Sequence, residues 1–274
     1  MSQLGKNIKR TINNLTVSYN DEGPDGTPVI IFIHGFPFTK AMWNKQAEAL
    51  KGNYRVIAYD IRGFGDSDAG KDNFSIDLFV NDLLSLMDAL KIEKAIVCGL
   101  SMGGYIALNA IENYPERFSS IVLSDTTCIA DSTEAKEKRM NAIESIKQTG
   151  LKKYADESIK KLFAPESFTT KEIEIATARE MIVKTSEQSL FNTLHALADR
   201  KETCNKLPEI KVPVLILVGK EDVITPPDAA RFMHEKIKHS KLYIIGHAGH
   251  LSNMDNPLEF NDHLKKFIES VKSV

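Results

Sequence analysis

The stretch "CGLSMGGYIAL", residues 98–108, joins an apolar run to a helix-like run and places one serine among three glycines. Gly99, Ser101 and Gly103 form the pattern G-x-S-x-G, in which the serine lies on a sharp strand-to-helix turn. Glycines on either side of the serine lack the Cβ atoms that would clash at such a turn. The serine would then lie at a helix N-terminus, whose partial positive charge stabilises developing negative charge. The pattern therefore favours Ser101 as a nucleophile over an ordinary tight turn.

Short apolar, β-branched runs recur on both sides of this turn and predict strands that are buried on both faces, as in parallel sheets covered by helices. They are "VIIFIHG" (29–35), "YRVIAYD" (54–60), "KAIVCGL" (94–100), "SSIVLSD" (119–125), "VPVLILVG" (212–219) and "KLYIIG" (241–246). Helical patterns lie between them, and one begins at Ser75, a favourable N-cap. The alternation predicts a doubly wound, mostly parallel α/β sheet. Residues 7–20 predict an antiparallel hairpin at its edge.

One segment departs from this alternation. Residues 131–201 contain a single glycine, a single proline and no strand-like run, and their apolar residues recur at helical spacing. We interpret the segment as a helical insertion that covers the sheet. The predicted organisation is a core of residues 1–127 and 201–274 with a helical cap of residues 128–200.

Composition and charge argue against two classes of protein, those that bind nucleic acid and those that span a membrane. The chain has 274 residues, of which 42% are hydrophobic and 26% charged, and its net charge is −2. These values indicate a globular domain without a basic surface for nucleic acid or a long apolar segment for a membrane. No apolar leader is apparent at the N-terminus. The odd number of cysteines (Cys98, Cys128 and Cys204) suggests reduced thiols and a cytoplasmic location. The sequence does not indicate an oligomeric state.

A serine nucleophile needs a base, and two histidines qualify by position. His247 and His250 lie in "GHAGHLSNMDNP" (246–257), a loop that follows the last apolar run and precedes a helix starting at Pro257. A loop at the carboxyl end of a strand brings a base close to Ser101. Two histidines alone are a weak metal pair, and no third ligand accompanies them, so no metal is predicted. Of the remaining five histidines, His34 is predicted to be structural, His195 to pack within the cap or line the pocket, and the other three to lie on the surface.

The acid that orients the base has two candidates. Asp222 follows the run "VPVLILVG" and precedes Thr225 and two prolines, which fix the loop. Asp125 ends the run "SSIVLSD" and leads directly into the cap. We favour Asp222, because it gives the chain order Ser–Asp–His that is typical of one large group of hydrolases.

Two backbone amides are candidates for binding an oxyanion. One belongs to Met102, the residue after the serine. The other belongs to Phe36 in "FIHGFPF" (32–38), where Gly35 permits the turn and Pro37 stiffens the loop.

Together, the motifs "HGFPF" (34–38), "YDIRGFGDSD" (59–68), "GLSMGG" (99–104), "GKEDVITPP" (219–227) and "HAGHLSNMDNP" (247–257) resemble the α/β-hydrolase superfamily. The resemblance implies that the second histidine of the "AGH" stretch, His250, is the base. The "HGFP" form resembles bacterial serine carboxylesterases and arylesterases, cofactor-free haloperoxidases, epoxide hydrolases and haloalkane dehalogenases. The stretch "GLSMGGYIAL" also resembles enol-lactonases and C–C bond hydrolases. Epoxide hydrolases and haloalkane dehalogenases carry aspartate at the nucleophile position, so Ser101 argues against both.

These observations predict a carboxylesterase-type serine hydrolase with the triad Ser101, Asp222 and His250, acting without a cofactor on a small-molecule ester or lactone. The alternatives are an enol-lactonase, a C–C bond hydrolase, or a ligand receptor that retains the triad without turnover. Five residues are candidates for lining the substrate pocket, although packing within the cap explains the cap residues among them equally well. They are Phe38, Phe163, Met181, Phe191 and His195.

Overall fold

The computed structural model describes residues 4–272 and contains one eight-stranded sheet. Its strands are β1 (Gly5–Ile12), β2 (Leu15–Glu22), β3 (Val29–Ile33), β4 (Arg55–Tyr59), β5 (Ala95–Leu100), β6 (Phe118–Ser124), β7 (Val214–Gly219) and β8 (Ser240–Ile245). Their order is β1-β2-β4-β3-β5-β6-β7-β8, and only β2 runs antiparallel to its neighbours. The predicted mostly parallel sheet and the antiparallel edge hairpin are confirmed.

Helices cover both faces of the sheet. Outside the segment between β6 and β7 they are α1 (Asn44–Leu50), α2 (Ile76–Ala89), α3 (Met102–Asn113), α8 (Pro227–Lys236), α9 (Ser252–Asp255) and α10 (Pro257–Lys272). One apolar cluster joins α2, α3 and α8 to one face, and a second joins α1 and α10 to the other. The hydroxyl of Ser75 accepts a hydrogen bond from Leu78 N at 3.0 Å and caps α2, as its sequence predicts. Helices therefore pack on both faces of the sheet, and the predicted doubly wound architecture is confirmed.

Four further helices lie between β6 and β7: α4 (Thr133–Leu162), α5 (Ser167–Thr170), α6 (Glu172–Lys184) and α7 (Glu187–Ala198). A kink at Gly150, where φ is 80° and ψ is 165°, divides α4 into two limbs. This conformation is essentially restricted to glycine. The first limb packs against α7 around a small cluster of its own that includes Ile143, Ile146, Leu190 and Leu194. The segment is thus helical. Its first limb and α7 share this small cluster, while the second limb of α4 and α6 pack into the cluster on the α1 and α10 face of the sheet.

The cysteines correct one expectation. Cys128 and Cys204 form a disulfide with their Cα atoms 4.9 Å apart, although 76 positions separate them in sequence. The segment leaves the sheet after β6 and returns to the adjacent strand β7, so its two ends meet. Only Cys98 is a free thiol. The expectation that all three cysteines are reduced is therefore wrong. The cysteines no longer support a cytoplasmic location, which stays a prediction. Within residues 4–272, no helix has the length and apolar character needed to cross a bilayer.

Candidate active site

Ser101 occupies a strained turn between β5 and α3. Its φ of 53° and ψ of −112° lie outside the regions that residues with a Cβ atom normally adopt. A Cβ atom on Gly99 would lie 2.2 Å from the carbonyl oxygen of Gly103, and one on Gly103 would lie 2.3 Å from that of Ile33. Both positions therefore require glycine, as the sequence pattern predicts. The amide of Ser101 donates to the carbonyl of Ser124 at 2.9 Å, which fixes the turn to the neighbouring strand.

His250 and Asp222 form a buried pair at the carboxyl ends of β7 and β8. The Nδ1 atom of His250 lies 2.8 Å from Oδ2 of Asp222, which leaves Nε2 as the ring nitrogen available to a substrate or nucleophile. The other carboxylate oxygen of Asp222 accepts hydrogen bonds from the amides of Ile224 (2.8 Å) and Thr225 (3.0 Å). The Thr225 hydroxyl donates to Oδ2 of Asp222 at 2.8 Å. The loop after β7 thus holds the carboxylate in place, as its threonine and prolines predict.

Opposing effects set the ionisation of this pair. Burial disfavours the charged form of each residue, but the ion pair and its hydrogen bond outweigh burial. The pKa of Asp222 is therefore lowered, and that of His250 is raised above its usual value of 6.5. A protonated His250 is stabilised by Asp222, which is what a base needs after it accepts a proton.

The competing carboxylate, Asp125, is also buried but faces different partners. Its Oδ1 accepts from the amide of Gly219 at 2.8 Å, and its Oδ2 accepts from the hydroxyls of Ser124 (2.7 Å) and Ser252 (2.5 Å). Burial, and then the charge of Asp222, raise the pKa of Asp125 to about 7. Asp125 therefore ties β6 to β7 and α9, and Asp222 is the carboxylate that contacts His250.

The other histidines near the site are arranged differently. His247 is exposed and pairs with Glu166 on the surface. His34 is fully buried, and its Nε2 accepts a hydrogen bond from the amide of Ile61 at 3.0 Å. Burial lowers the pKa of His34 to about 4, so it is a neutral structural residue at physiological pH.

The two amides expected to bind an oxyanion lie at the same cavity as Ser101. Phe36 and Met102 both line it, and within residues 4–272 neither amide donates a hydrogen bond to another group of the protein. Unsatisfied backbone donors in a partly buried site are unusual. Two such donors beside a serine remain candidates for binding an oxyanion.

A cavity of about 700 Å³ lies between the sheet and the helices that follow β6, and Ser101 and His250 both line it. Its apolar wall includes Tyr154 and Leu162 from the second limb of α4 and Leu194 from α7. Both limbs of α4 contribute lining residues, because the kink at Gly150 bends the helix around the space. The volume suits a small to medium substrate.

None of the five residues expected to line the pocket lies at this cavity. Phe38, Phe163 and Met181 are buried in the cluster on the α1 and α10 face of the sheet. Phe191 packs beside the small cluster between α4 and α7, while His195 is exposed on α7. The prediction is wrong because the four apolar side chains pack against other apolar side chains of the protein, while His195 lies on the exposed side of α7.

The residues that do line the cavity were not among those predicted from the sequence. Tyr105 follows Ser101 by four positions and therefore shares its side of α3, a signal available in the sequence. Charged residues of the helical segment also face the cavity, among them Asp131, Arg139 and Arg200. Their alternation with apolar residues resembles an ordinary solvated helix surface, so no pattern distinguishes them. In the described part of the chain, no group of three or more His, Cys, Asp or Glu residues is suited to hold a metal ion.

Comparison with known proteins agrees with this geometry. The sequence model of the alpha/beta hydrolase fold matches residues 28–257. The chain belongs to the alpha/beta hydrolase family. For an alpha/beta hydrolase, a serine on a strained turn after the fifth strand and a histidine after the last are in the expected chain order.

Two kinds of alpha/beta hydrolase are similar over almost the whole chain. The 3-oxoadipate enol-lactonase 1 of Acinetobacter baylyi is 32% identical over 273 residues, which are 99% of this chain and 100% of the relative. A thermophilic esterase from Thermogutta terrifontis has a structure with a TM-score of 0.90 and 32% identity, covering 96% of this chain and 98% of that one. The enol-lactonase of Burkholderia xenovorans gives a TM-score of 0.89 at 26% identity, covering 96% and 100%.

Proposed function

We propose that the protein hydrolyses carboxylic esters through an acyl-enzyme on Ser101. The observation that carries the proposal is the joint position of Ser101 and a buried, Asp222-bound His250 at one cavity. A serine hydroxyl is a weak nucleophile until a base accepts its proton, and the acid holds that base in the correct tautomer.

In this mechanism, Nε2 of His250 removes the proton of Ser101 as its Oγ attacks the ester carbonyl. The amides of Phe36 and Met102 stabilise the oxyanion of the tetrahedral intermediate. His250 then gives its proton to the leaving alcohol, and the acyl group remains on Ser101. A water molecule, deprotonated by His250, releases the acid and restores the serine. The chemistry itself requires no cofactor.

A second candidate is hydrolysis of an enol-lactone. The full-length similarity to an enol-lactonase at 32% identity favours it, and a lactone is an internal ester that the same residues would open. We also propose that residues 128–200 act as a cap that selects substrates, since α4 and α7 supply much of the cavity wall.

The test combines labelling with turnover. A fluorophosphonate probe should modify Ser101 alone, and Ser101→Ala should abolish both labelling and hydrolysis while the circular dichroism spectrum is unchanged. Nitrophenyl esters of increasing acyl length and a panel of lactones then define the preferred substrate. Near-native turnover by folded Ser101→Ala would refute the nucleophile. A single stoichiometric burst without further product would instead support a receptor that retains the triad.

A further inference from the structure

The cavity at Ser101 has an excess of positively charged side chains, although the chain as a whole is slightly negative. Its wall includes four cationic and two acidic side chains, which are Lys138, Arg139, Lys161, Arg200, Asp131 and Glu157. Two positive charges are therefore in excess, whereas the chain as a whole has a net charge of −2. A cavity with one sign of charge concentrates ligands of the opposite sign.

Three of these residues form a built cluster. Asp131 pairs with Arg139 and with Arg200, and its side chain is only 6% exposed. Arg200 is equally buried, donates to the carbonyl oxygens of Leu197 (3.0 Å) and Ile129 (2.8 Å), and stacks at 4.3 Å from the ring centroid of Tyr105. These contacts hold its guanidinium in one orientation at the cavity wall.

The cluster retains a positive charge. Burial disfavours ionised Asp131, but hydrogen bonds and charges from Arg139 and Arg200 outweigh burial and lower its pKa. One carboxylate thus offsets only one of two guanidinium charges. Arg139 donates to Asp131 through Nε and Nη2, and in the described residues its Nη1 has no protein acceptor. Excess charge in a partly buried site is costly unless an anion balances it.

Tyr105 places this cluster close to the reaction centre. It lies four residues after Ser101 on α3, a rise of about 6 Å along the helix axis. Arg200 stacks on the ring of Tyr105, and both residues line the same cavity as Ser101, so the positive cluster and the proposed nucleophile share that cavity. A ligand that spans them needs an anionic group and a carbonyl joined by a short spacer.

We propose that Arg139 and Arg200 bind a carboxylate of the substrate, so that the preferred substrates are esters or lactones that carry a second, ionised carboxyl group. This inference rests on the proposed ester hydrolysis. The planar guanidinium matches a carboxylate with two parallel hydrogen bonds, which gives orientation as well as affinity. Bound in this way, the substrate presents its remaining carbonyl to Ser101.

The decisive test uses two variants that break the same ion pair but change the cavity charge in opposite directions. Arg139→Gln removes a positive charge, and Asp131→Asn removes a negative one. The measured quantity is the ratio of kcat/KM for 4-nitrophenyl hydrogen glutarate to that for neutral 4-nitrophenyl butyrate. We expect the ratio to fall about 10- to 100-fold in Arg139→Gln and not to fall in Asp131→Asn. An equal fall in both would show that only the integrity of the pair matters and would overturn the proposal.

Arg179→Gln is the matched control, because Arg179 also pairs with an aspartate, Asp156, but on the exposed surface of α6. This variant should leave the ratio unchanged. Arg200→Gln provides a second test and should lower the ratio as Arg139→Gln does. An unchanged ratio in both folded cavity variants would refute the anion site.

Binding without turnover separates this inference from the proposed function. Calorimetry with Ser101→Ala should detect monomethyl glutarate, and adding Arg139→Gln should weaken that binding about 10- to 100-fold. Hydrolysis of both esters without discrimination would leave the proposed function intact and remove only the anion site. If the native protein binds monomethyl glutarate but hydrolyses neither ester, the anion site stands and the proposed ester hydrolysis is refuted.

Discussion

The carboxyl edge of the sheet and the helices after β6 contribute to one cavity by different means. At the sheet edge, Ser101, Asp222 and His250 lie in short loops directly after β5, β7 and β8. Backbone amides fix Ser101 and the Asp222 carboxylate, and that carboxylate holds the ring of His250. The helical segment contributes side chains from long helices around a kink and is attached to the sheet at two ends. In the proposed function, the sheet edge determines reactivity and the helices determine which substrate reaches it.

The largest effect that tests this contrast concerns the two neighbouring histidines. His250→Ala should lower kcat by several orders of magnitude, nearly as far as Ser101→Ala, because members of one catalytic unit are not additive. His247→Ala should cost less than about tenfold, since an exposed ion pair contributes little. Steady-state kinetics of both variants and of the Ser101/His250 double variant provide the measurement. The reverse ranking would assign the base to His247.

The two buried carboxylates provide the next largest effect. Asp222→Asn should lower kcat about four orders of magnitude, because an amide favours the wrong imidazole tautomer. Asp125→Asn retains the shape but loses charged hydrogen bonds to Gly219 and two serines, so it should mainly lower the free energy of unfolding, by about 1–3 kcal/mol. Urea denaturation alongside kinetics separates the two outcomes. If Asp222→Asn stays active while Asp125→Asn is folded but inactive, then Asp125 and not Asp222 is the acid that orients His250.

The disulfide tests the attachment of the helical segment. Replacing Cys128 and Cys204 together by serine should lower the free energy of unfolding by about 2–4 kcal/mol, because the bond closes a long loop. We expect hydrolysis of a small acetate ester to change less than hydrolysis of long-chain esters, since the bond joins the two ends of the helical segment and neither cysteine is a member of the proposed triad. Thiol titration of the unmutated protein under denaturing conditions should find one free cysteine, Cys98. Three titratable thiols without reductant, or equal losses on both esters, would contradict this picture.

The smallest effect is a shift in pH dependence. Catalysis needs neutral His250, so kcat/KM should decrease as pH falls through the raised pKa of this residue, at a midpoint above 6.5. Burial opposes that rise, while the charges of Asp222 and Asp125 produce it. Asp125 is charged only above its own pKa of about 7, so Asp125→Asn removes a charge that is partly present in this range, and the midpoint should move to lower pH. A midpoint that stays or moves to higher pH would show that Asp125 does not act on His250.

Motifs at strand ends were predictable because local chemistry determines them. The glycines around Ser101 and the threonine after Asp222 each serve a turn whose geometry their own residue types impose. The disulfide was not predictable, because it depends on β6 and β7 being neighbours in space. The cavity wall was not predictable either: whether Phe163 or Arg200 faces the substrate depends on how amphipathic helices rotate against one another.

The strained backbone of Ser101 has an evolutionary consequence. A side chain at this conformation costs about 1–3 kcal/mol, a penalty that glycine does not incur. Selection for heat resistance alone would therefore favour Ser101→Gly, the change that eliminates the nucleophile. The serine at this position is therefore explained by what its hydroxyl would do in the proposed reaction and not by what it contributes to folding.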